Sequence, residues 1–391
     1  MYAGSLPLAL YPLPLTVFAR YAHCYQSSVT SSEDPNQQIA IQILDLAEVY
    51  RPSPRYWVYK QASRAIRRHP QFITELTDAQ ILKIPGVGPA TLRIVREILN
   101  DGRSATVERA VAASGKAREI EQRAPLRQNF LSAAMVEKVL REPKRGAVKR
   151  EEYGGDFQMH SRGSDGSDSV AQLARACMKR GYRCMAVTDH SYGLPIAGGM
   201  SMEEMRAQRA EVAALNKTFG SDFRVFQGVE ANILIDGRLD MQAEELKTLD
   251  LVVASPHSSL RKTFDQTDRM MAAVSLPGVH ILGHPRGRIF NSRLGVIADW
   301  PSVFKQAAKT GVAIELDGDV SRQDLDHRIA RAAKKAGCVF ALDSDAHAGD
   351  QLWMADYAIA HARLAGIAAE RIVNCWPADK ILEWAARAWE R

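Results

Sequence analysis

Cysteine is scarce in this chain. There are five in 391 residues, Cys24, Cys177, Cys184, Cys338 and Cys375, an odd number with no CxxC pair. This fits free thiols in a reducing, cytoplasmic setting, several of them filling the core. Long apolar runs are also missing. The one apolar stretch near the start, MYAGSLPLALYPLPLTVFARYAH, is interrupted by Pro7, Pro12 and Pro14. It is too short and too broken to span a bilayer, and it lacks the charged start and cleavage site of a signal peptide. Residues 1–35 therefore read as a disordered leader or a misassigned start, and no membrane partner is expected. Nor does one sign of charge dominate, since the net charge is +6 with 25% charged residues. The imbalance is local: residues 1–150 carry 22 Lys and Arg against 13 Asp and Glu, and the remainder 29 against 32. A basic front suggests a polyanionic partner, although solvated helix faces are also arginine-rich.

What is present divides in two. Gln26–Gln38 is a polar, turn-rich linker. Ile39, Ile43, Leu46 and Tyr50 then recur at helical spacing, and WVYKQASRAIRRHP forms a second helical stretch ending at Pro70. In LTDAQILKIPGVGPATLRIVREILNDG, Thr77 and Gln80 make a capping box, Pro85–Gly88 a tight turn, and an amphipathic helix runs on to about Gly102. Residues 36–115 read as an all-α domain. Residues 116–152 read as a basic linker with one short helix, FLSAAMVEKVL.

From Asp156 the rhythm changes. DFQMH, RCMAVTDH, RVFQGVE, LVVASPH, VHILGHP, VAIELDG and VFALDSDAH alternate with helical patterns. Seven such runs over roughly 240 residues predict a parallel α/β barrel over 153–391, rich enough in Val, Ile, Leu and Ala to be covered on both faces.

Each run ends in a residue able to bind metal or phosphate: His160, His190, Glu230, His257, His284, Asp317, and Asp345 with His347. Strand ends of a parallel barrel converge on one mouth. One such histidine would most simply be a satisfied polar residue, but five in phase are hard to explain as packing. Mixed imidazole and carboxylate donors suit Zn, Mn or Fe, and their number argues for two or more ions. A cluster of this kind positions a bridging hydroxide for attack on phosphorus. The alternative chemistry is amide or amidine hydrolysis.

The motifs DFQMHSRGSDG, VTDHS, GVEANIL, ASPHSS, GHPRGR and DSDAH, in this order, resemble those of PHP (polymerase and histidinol phosphatase) domains. The version at the C-terminus of bacterial family X DNA polymerases is the nearest in pattern. The resemblance covers about 156–385 and implies a distorted (β/α)7 barrel with a trinuclear metal site. Carried over, one ion would take Gln158, His160, Glu230 and Asp345. A second would share Glu230 and take His257 and His284, and the third would take Asp165, His190 and His347. The family has histidine where this chain has Gln158, a poorer donor that puts the first ion in doubt, and Asp317 stands in place of the usual asparagine. Arg288 and Arg322, just past strand ends, could grip a substrate phosphate or form rim salt bridges. Arg293 is a weaker candidate. His280 reads as core, and His23, His69, His327 and His361 have no strand-end context.

IPGVGPATL carries the G-x-G turn of a helix-hairpin-helix, in which Gly86, Val87, Gly88 and Ala90 would present backbone N–H groups to a DNA phosphate. Residues 36–115 also resemble the N-terminal helical domain of the same polymerases. No acidic nucleotidyltransferase motif lies between the two regions, so nucleotide addition is not implied. The lysine of the related lyases falls at Ile94 here, and Lys83 is not equivalent. The resulting expectation is a metal-dependent phosphoesterase acting on DNA, as a 3′-5′ exonuclease or 3′-end-processing enzyme of DNA repair. Its rivals are a small-molecule phosphatase resembling histidinol-phosphate phosphatases and a non-catalytic DNA-binding protein with a decayed metal site.

Overall fold

The computed structural model describes residues 34–390; the leader expected over 1–35 falls almost wholly outside them. The front domain is helical: α1 (Pro35–Val49), α2 (Pro54–Arg67), α3 (Asp78–Ile81), α4 (Pro89–Asp101) and α5 (Ala105–Ala113). Ile39, Ile43 and Leu46 of α1 meet Ala62 and Ile66 of α2 and Ile94, Val95 and Ile98 of α4 in one buried cluster. The helical spacing of these residues is what brings them onto facing stripes. Thr77 and Gln80 form the expected capping box at α3. Pro89 opens α4 at a position that needs no N–H, and Gly102 ends it in the left-handed conformation.

The segment read as a linker is packed. It contains α6 (Ala117–Gln122), a 3-10 turn at Ala124–Arg127 and α7 (Ala133–Arg141). Leu131, Met135, Val136 and Val139 bury against Val320, Met354, Tyr357 and Ala360 of the barrel. Asp34 caps α1 by accepting from Gln37 N and also accepts from Ser132 N and Oγ, tying the first helix to the start of α7.

The barrel has seven parallel strands, each paired with its neighbours in chain order: β1 (Gly155–Asp156), β2 (Cys184–Val187), β3 (Arg224–Asn232), β4 (Leu251–Ser255), β5 (Ile281–Leu282), β6 (Ala313–Asp317) and β7 (Phe340–Asp343). Ladder pairing does not run between β7 and β1. The gap is closed by a single bridge, Met159 to Ala346, and by side-chain bonds that include Phe157 N to Asp343 Oδ1, Ser344 N to Asp156 Oδ1 and Tyr153 Oη to Leu342 O. Side chains alternate along each strand. Val253, Ile281, Ala313 and Ala341 point into the lumen with Phe157 and Phe226, and Val252, Ala254, Leu282 and Leu342 face the outer helices. Each lumen phenylalanine contributes about 1.5–3 kcal/mol by leaving water. Trp376, with Ile381 and Ala385 of the C-terminal helix (Ala378–Arg387), joins the lumen cluster. His280 is core as expected: Nδ1 accepts from Val252 N and Nε2 meets Ala385 O at 3.1 Å.

Candidate metal centre and active site

Strand ends deliver the expected ligand side chains to one place. Glu230 lies within β3, fully buried, and four imidazoles face its carboxylate. His190 Nδ1 and His160 Nε2 lie 3.0 and 3.5 Å from Oε2, and His284 Nε2 and His257 Nε2 lie 2.8 and 3.4 Å from Oε1. Asp345 Oδ1 stands 3.2 Å from His160 Nε2. The Asp165 carboxylate approaches His347, His190 and His160 at 3.3, 3.6 and 4.0 Å. The structure thus brings His160, Asp165, His190, Glu230, His257, His284, Asp345 and His347 into one pocket. His284 and Asp345 both have positive φ, 21° and 53°. Such strained backbone is tolerated where a side chain must be aimed.

Two subsets have ligand atoms all within 4.8 Å of one another: His160, Asp165, His190 and His347, and His190, Glu230 and His257. Nδ1 of His160 and His284 are buried without a hydrogen-bond partner, and the Glu230 oxygens meet only the surrounding imidazoles. A buried polar atom left unpaired is costly. These orphaned donor atoms, with imidazole and carboxylate chemistry, fit divalent cations of the borderline transition-metal type.

The electrostatics agree. Burial would raise Glu230, yet the imidazoles of His257, His190 and His284 hold it well below the usual carboxylate range. Burial also opposes ionisation of Asp345, but Arg322, His160 and His347 hold it far below its ordinary value. His347 is pushed up to about 9, against its own desolvation, by Asp165 and Asp345. Against their burial, Glu230 and Asp165 raise His190, whereas burial and Arg322 lower His284.

Gln158 stands apart. Its Oε1 accepts from Thr188 Oγ1 at 3.2 Å and its Nε2 is buried without a partner. Arg322 Nε lies 3.3 Å from Asp345 Oδ2 and 3.6 Å from Asp317 Oδ2, at the edge of the pocket. Arg288 does not reach the pocket. It is buried, with Nε and Nη2 donating to Gln323 O, Nη1 donating to Gln128 O and pairing with Asp326, and its plane lying 4.0 Å over Phe130. It joins the barrel to the preceding segment. Arg293 Nε donates to Gly287 O.

A supporting layer went unread in the sequence. Asp189 accepts from Ser161 N, Ser161 Oγ, Ser164 Oγ and Gln208 Nε2, fixing the loop that carries Asp165. In that loop a Cβ on Gly166 would fall 2.1 Å from His160 O. Asn232 Oδ1 meets His257 Nδ1 at 2.5 Å, and Asp240 holds the Asn232 amide. Asp189 and Asn232 sit inside VTDHS and GVEANIL, and that adjacency was the available signal. Asp156, Glu315 and Asp343 are also fully buried. Burial, then mutual repulsion, pushes Glu315 and Asp156 up, and burial raises Asp343 to about 6. Asp317 is raised by burial and by Asp345.

In the helical domain, Gly86 takes φ 80° and closes the turn before α4. Its Cβ position lies 2.8 Å from Ala62 N, so the glycine also permits close packing on α2. Val87 turns into the core, while Gly88 has open space beside it and Ala90 is exposed. Ile94 is core.

Both parts of the chain have known relatives. A family model described as a helix-hairpin-helix domain matches residues 34–104. The DNA polymerase/3'-5' exonuclease PolX of Bacillus subtilis (strain 168) is 39% identical over 198 residues, 49% of this chain but only 34% of that protein. A probable phosphatase of Photobacterium profundum is 31% identical over 189 residues, 46% of this chain and 72% of the relative. A histidinol phosphate phosphatase from Lactococcus lactis, solved with zinc, L-histidinol and phosphate, aligns with TM-score 0.39 and 14% identity over 61% of this chain and 93% of that one. A helix-hairpin-helix front joined to this barrel and its imidazole–carboxylate mouth place the chain in the PHP family of metal-dependent phosphoester hydrolases.

Proposed function

We propose that this protein is a metal-dependent phosphoesterase of DNA that trims or cleans 3′ ends. The observation that carries the reading is the joint between the two parts. The loop after β5, which bears His284, also bears Phe290 and Asn291, and these dock on the helical domain. Arg67 of α2 lies 4.0 Å over the Phe290 ring, and Asn291 bonds Arg127 and approaches Glu48 of α1. A strand held at the helix-hairpin-helix turn by backbone N–H groups would lie on the body that also carries the pocket.

In this reading His160, Asp165, His190, His347, Glu230, His257 and His284 would hold two divalent ions, Mn or Zn by donor chemistry. Such ions supply Lewis acidity to a phosphoester and a more acidic water. The chain's own residues orient. Asn232 accepts the His257 Nδ1 proton and leaves Nε2 facing the pocket. Asp189 fixes the loop of Asp165. Arg322, anchored through Nε by Asp345 and Asp317, offers its outer nitrogens to the phosphate oxygens, where a planar guanidinium pairs well.

The test is parallel incubation with Mn²⁺ and either 3′-labelled DNA or a phosphomonoester. Release of label that is lost in Asp345→Ala and His257→Ala, with DNA binding kept, supports the reading; retained activity in both variants removes the barrel from it. The rival is a small-molecule phosphatase, favoured by the relative from Photobacterium profundum. It predicts phosphomonoester turnover indifferent to DNA and no salt-sensitive DNA binding.

A further inference from the structure

Helix α2 presents an unusual outer face. Trp57 is 63% exposed and Val58 beside it 50%. Within PRYWVYKQASRAIR every charged side chain is cationic; Arg55, Lys60 and Arg64 are exposed, and Arg67 is buried against Phe290. Tyr56, itself buried, packs edge-on against the Trp57 ring at 4.9 Å and steadies it. Lys60 Nζ lies 5.0 Å from the Trp57 centroid, and Arg51 lies 4.6 Å over Tyr56. This face adjoins the hairpin turn, because the Cβ position of Gly86 is 3.1 Å from Val58 O and 2.8 Å from Ala62 N.

We propose that Trp57 is a stacking platform for an unpaired base, so that the helical domain holds single-stranded DNA beside the hairpin turn. A large apolar ring left in water beside a fixed ring and several cations has the makings of a single-strand site: an aromatic surface for a base, with positive charge along the phosphate path. Duplex DNA offers the ring only the outer faces of its terminal pairs, because its other base faces are already stacked on one another. Charge complementarity decides the occupant, since the helix has no acidic side chain to repel a polyanion. The inference rests on the DNA reading above and deepens it: the domain would bind a frayed or single-stranded end.

Fluorescence anisotropy with a labelled oligo-dT of about 16 nucleotides and a blunt duplex of the same length tests it. Trp57→Ala should weaken single-strand binding on the order of 10-fold or more, Trp57→Phe should retain most of it, and duplex affinity should stay unchanged. Lys60→Glu should weaken binding of the single strand and flatten its salt dependence. Trp57 is exposed, so the unfolding midpoint of Trp57→Ala serves as the control for folding. If the wild type binds neither DNA, the DNA reading itself fails. If the wild type binds DNA but Trp57→Ala binds both forms as well as it does, or loses both equally, only the stacking inference is overturned. It is also overturned if Trp57→Ala converts a self-associated protein to monomer, which would make the ring a contact between copies.

Discussion

Gln158 Oε1 accepts a hydrogen bond from Thr188 Oγ1 at 3.2 Å, across from the first strand to the loop after the second. The remaining amide nitrogen is buried and unpaired. In the ligand set implied by the PHP resemblance, His160, Glu230 and Asp345 would then be one donor short, and the Asp345 charge is answered by Arg322. The wild-type protein should therefore hold about two tight divalent ions, and Gln158→His about three, since imidazole is the better ligand for Zn or Mn. Elemental analysis of metal-equilibrated, desalted protein measures the difference, and an unchanged ratio would show that Gln158 does not limit occupancy.

Asn232→Ala should lower metal affinity or turnover by about 10- to 100-fold, the usual cost of losing a group that orients a ligating histidine. Asp240 occupies the Asn232 amide, so the Asn232 oxygen must face His257 and the proton sits on His257 Nδ1. Competition with a chelator reads the affinity. Asn232→Asp keeps an acceptor and should retain most of it.

Arg322→Ala should reduce kcat/KM for phosphoester hydrolysis by about 100-fold, comparable to removal of one preorganised transition-state donor. Arg322→Lys should recover only part, because a point charge cannot fork onto two oxygens. Steady-state kinetics on the phosphomonoester checks both. Arg288→Lys should instead show itself in unfolding, since that side chain is bonded to main-chain oxygens away from the pocket.

His327 and His361 stack 5.5 Å apart, with Nδ1 atoms at 3.3 Å, and both are buried. Burial lowers His327 to about 4, and burial and His327 hold His361 well below its ordinary value. Below pH 6.5 the unfolded chain takes up protons that the folded chain refuses. Stability is therefore full above about pH 7 and falls between 6.5 and 4, by about 3 kcal/mol for His327 alone. Urea unfolding at several pH values should show this slope, and His327→Leu should flatten it.

Arg127 is buried against Asp45 of α1 and also bonds Asn291 Oδ1 at 2.7 Å. Arg127→Ala strands the Asp45 carboxylate and should cost about 3 kcal/mol. Urea unfolding should then separate into two transitions, as the helical domain loses its hold on the barrel.

Seven of the eight residues that meet in the pocket were legible because a parallel barrel carries every strand end to the same mouth, and the eighth, Asp165, was legible only through the resemblance to PHP domains. Period-two strands followed by His, Glu or Asp placed His160, His190, Glu230, His257, His284, Asp345 and His347 together without a distance being known. The helix-hairpin-helix was legible for a similar reason, since a capping box, a proline at a helix start and a glycine turn are local devices.

Local pattern could not decide pairings between distant segments. Arg288 and Arg322 look alike in sequence, each just past a strand end. One is consumed by Gln128, Gln323 and Asp326, and the other faces Asp345. Residues 117–141 look like a linker until Val320 and Tyr357 cover them. The roles of Asn232 and Asp189 emerge only when the rings and loops they hold are in place. The amino-acid order determined which chemistry would reach the mouth, because strand and helix periods act over a few residues. Only the folded chain decided which charges are spent on packing and which are left to act, because burial and partner choice depend on atoms tens to well over a hundred residues apart.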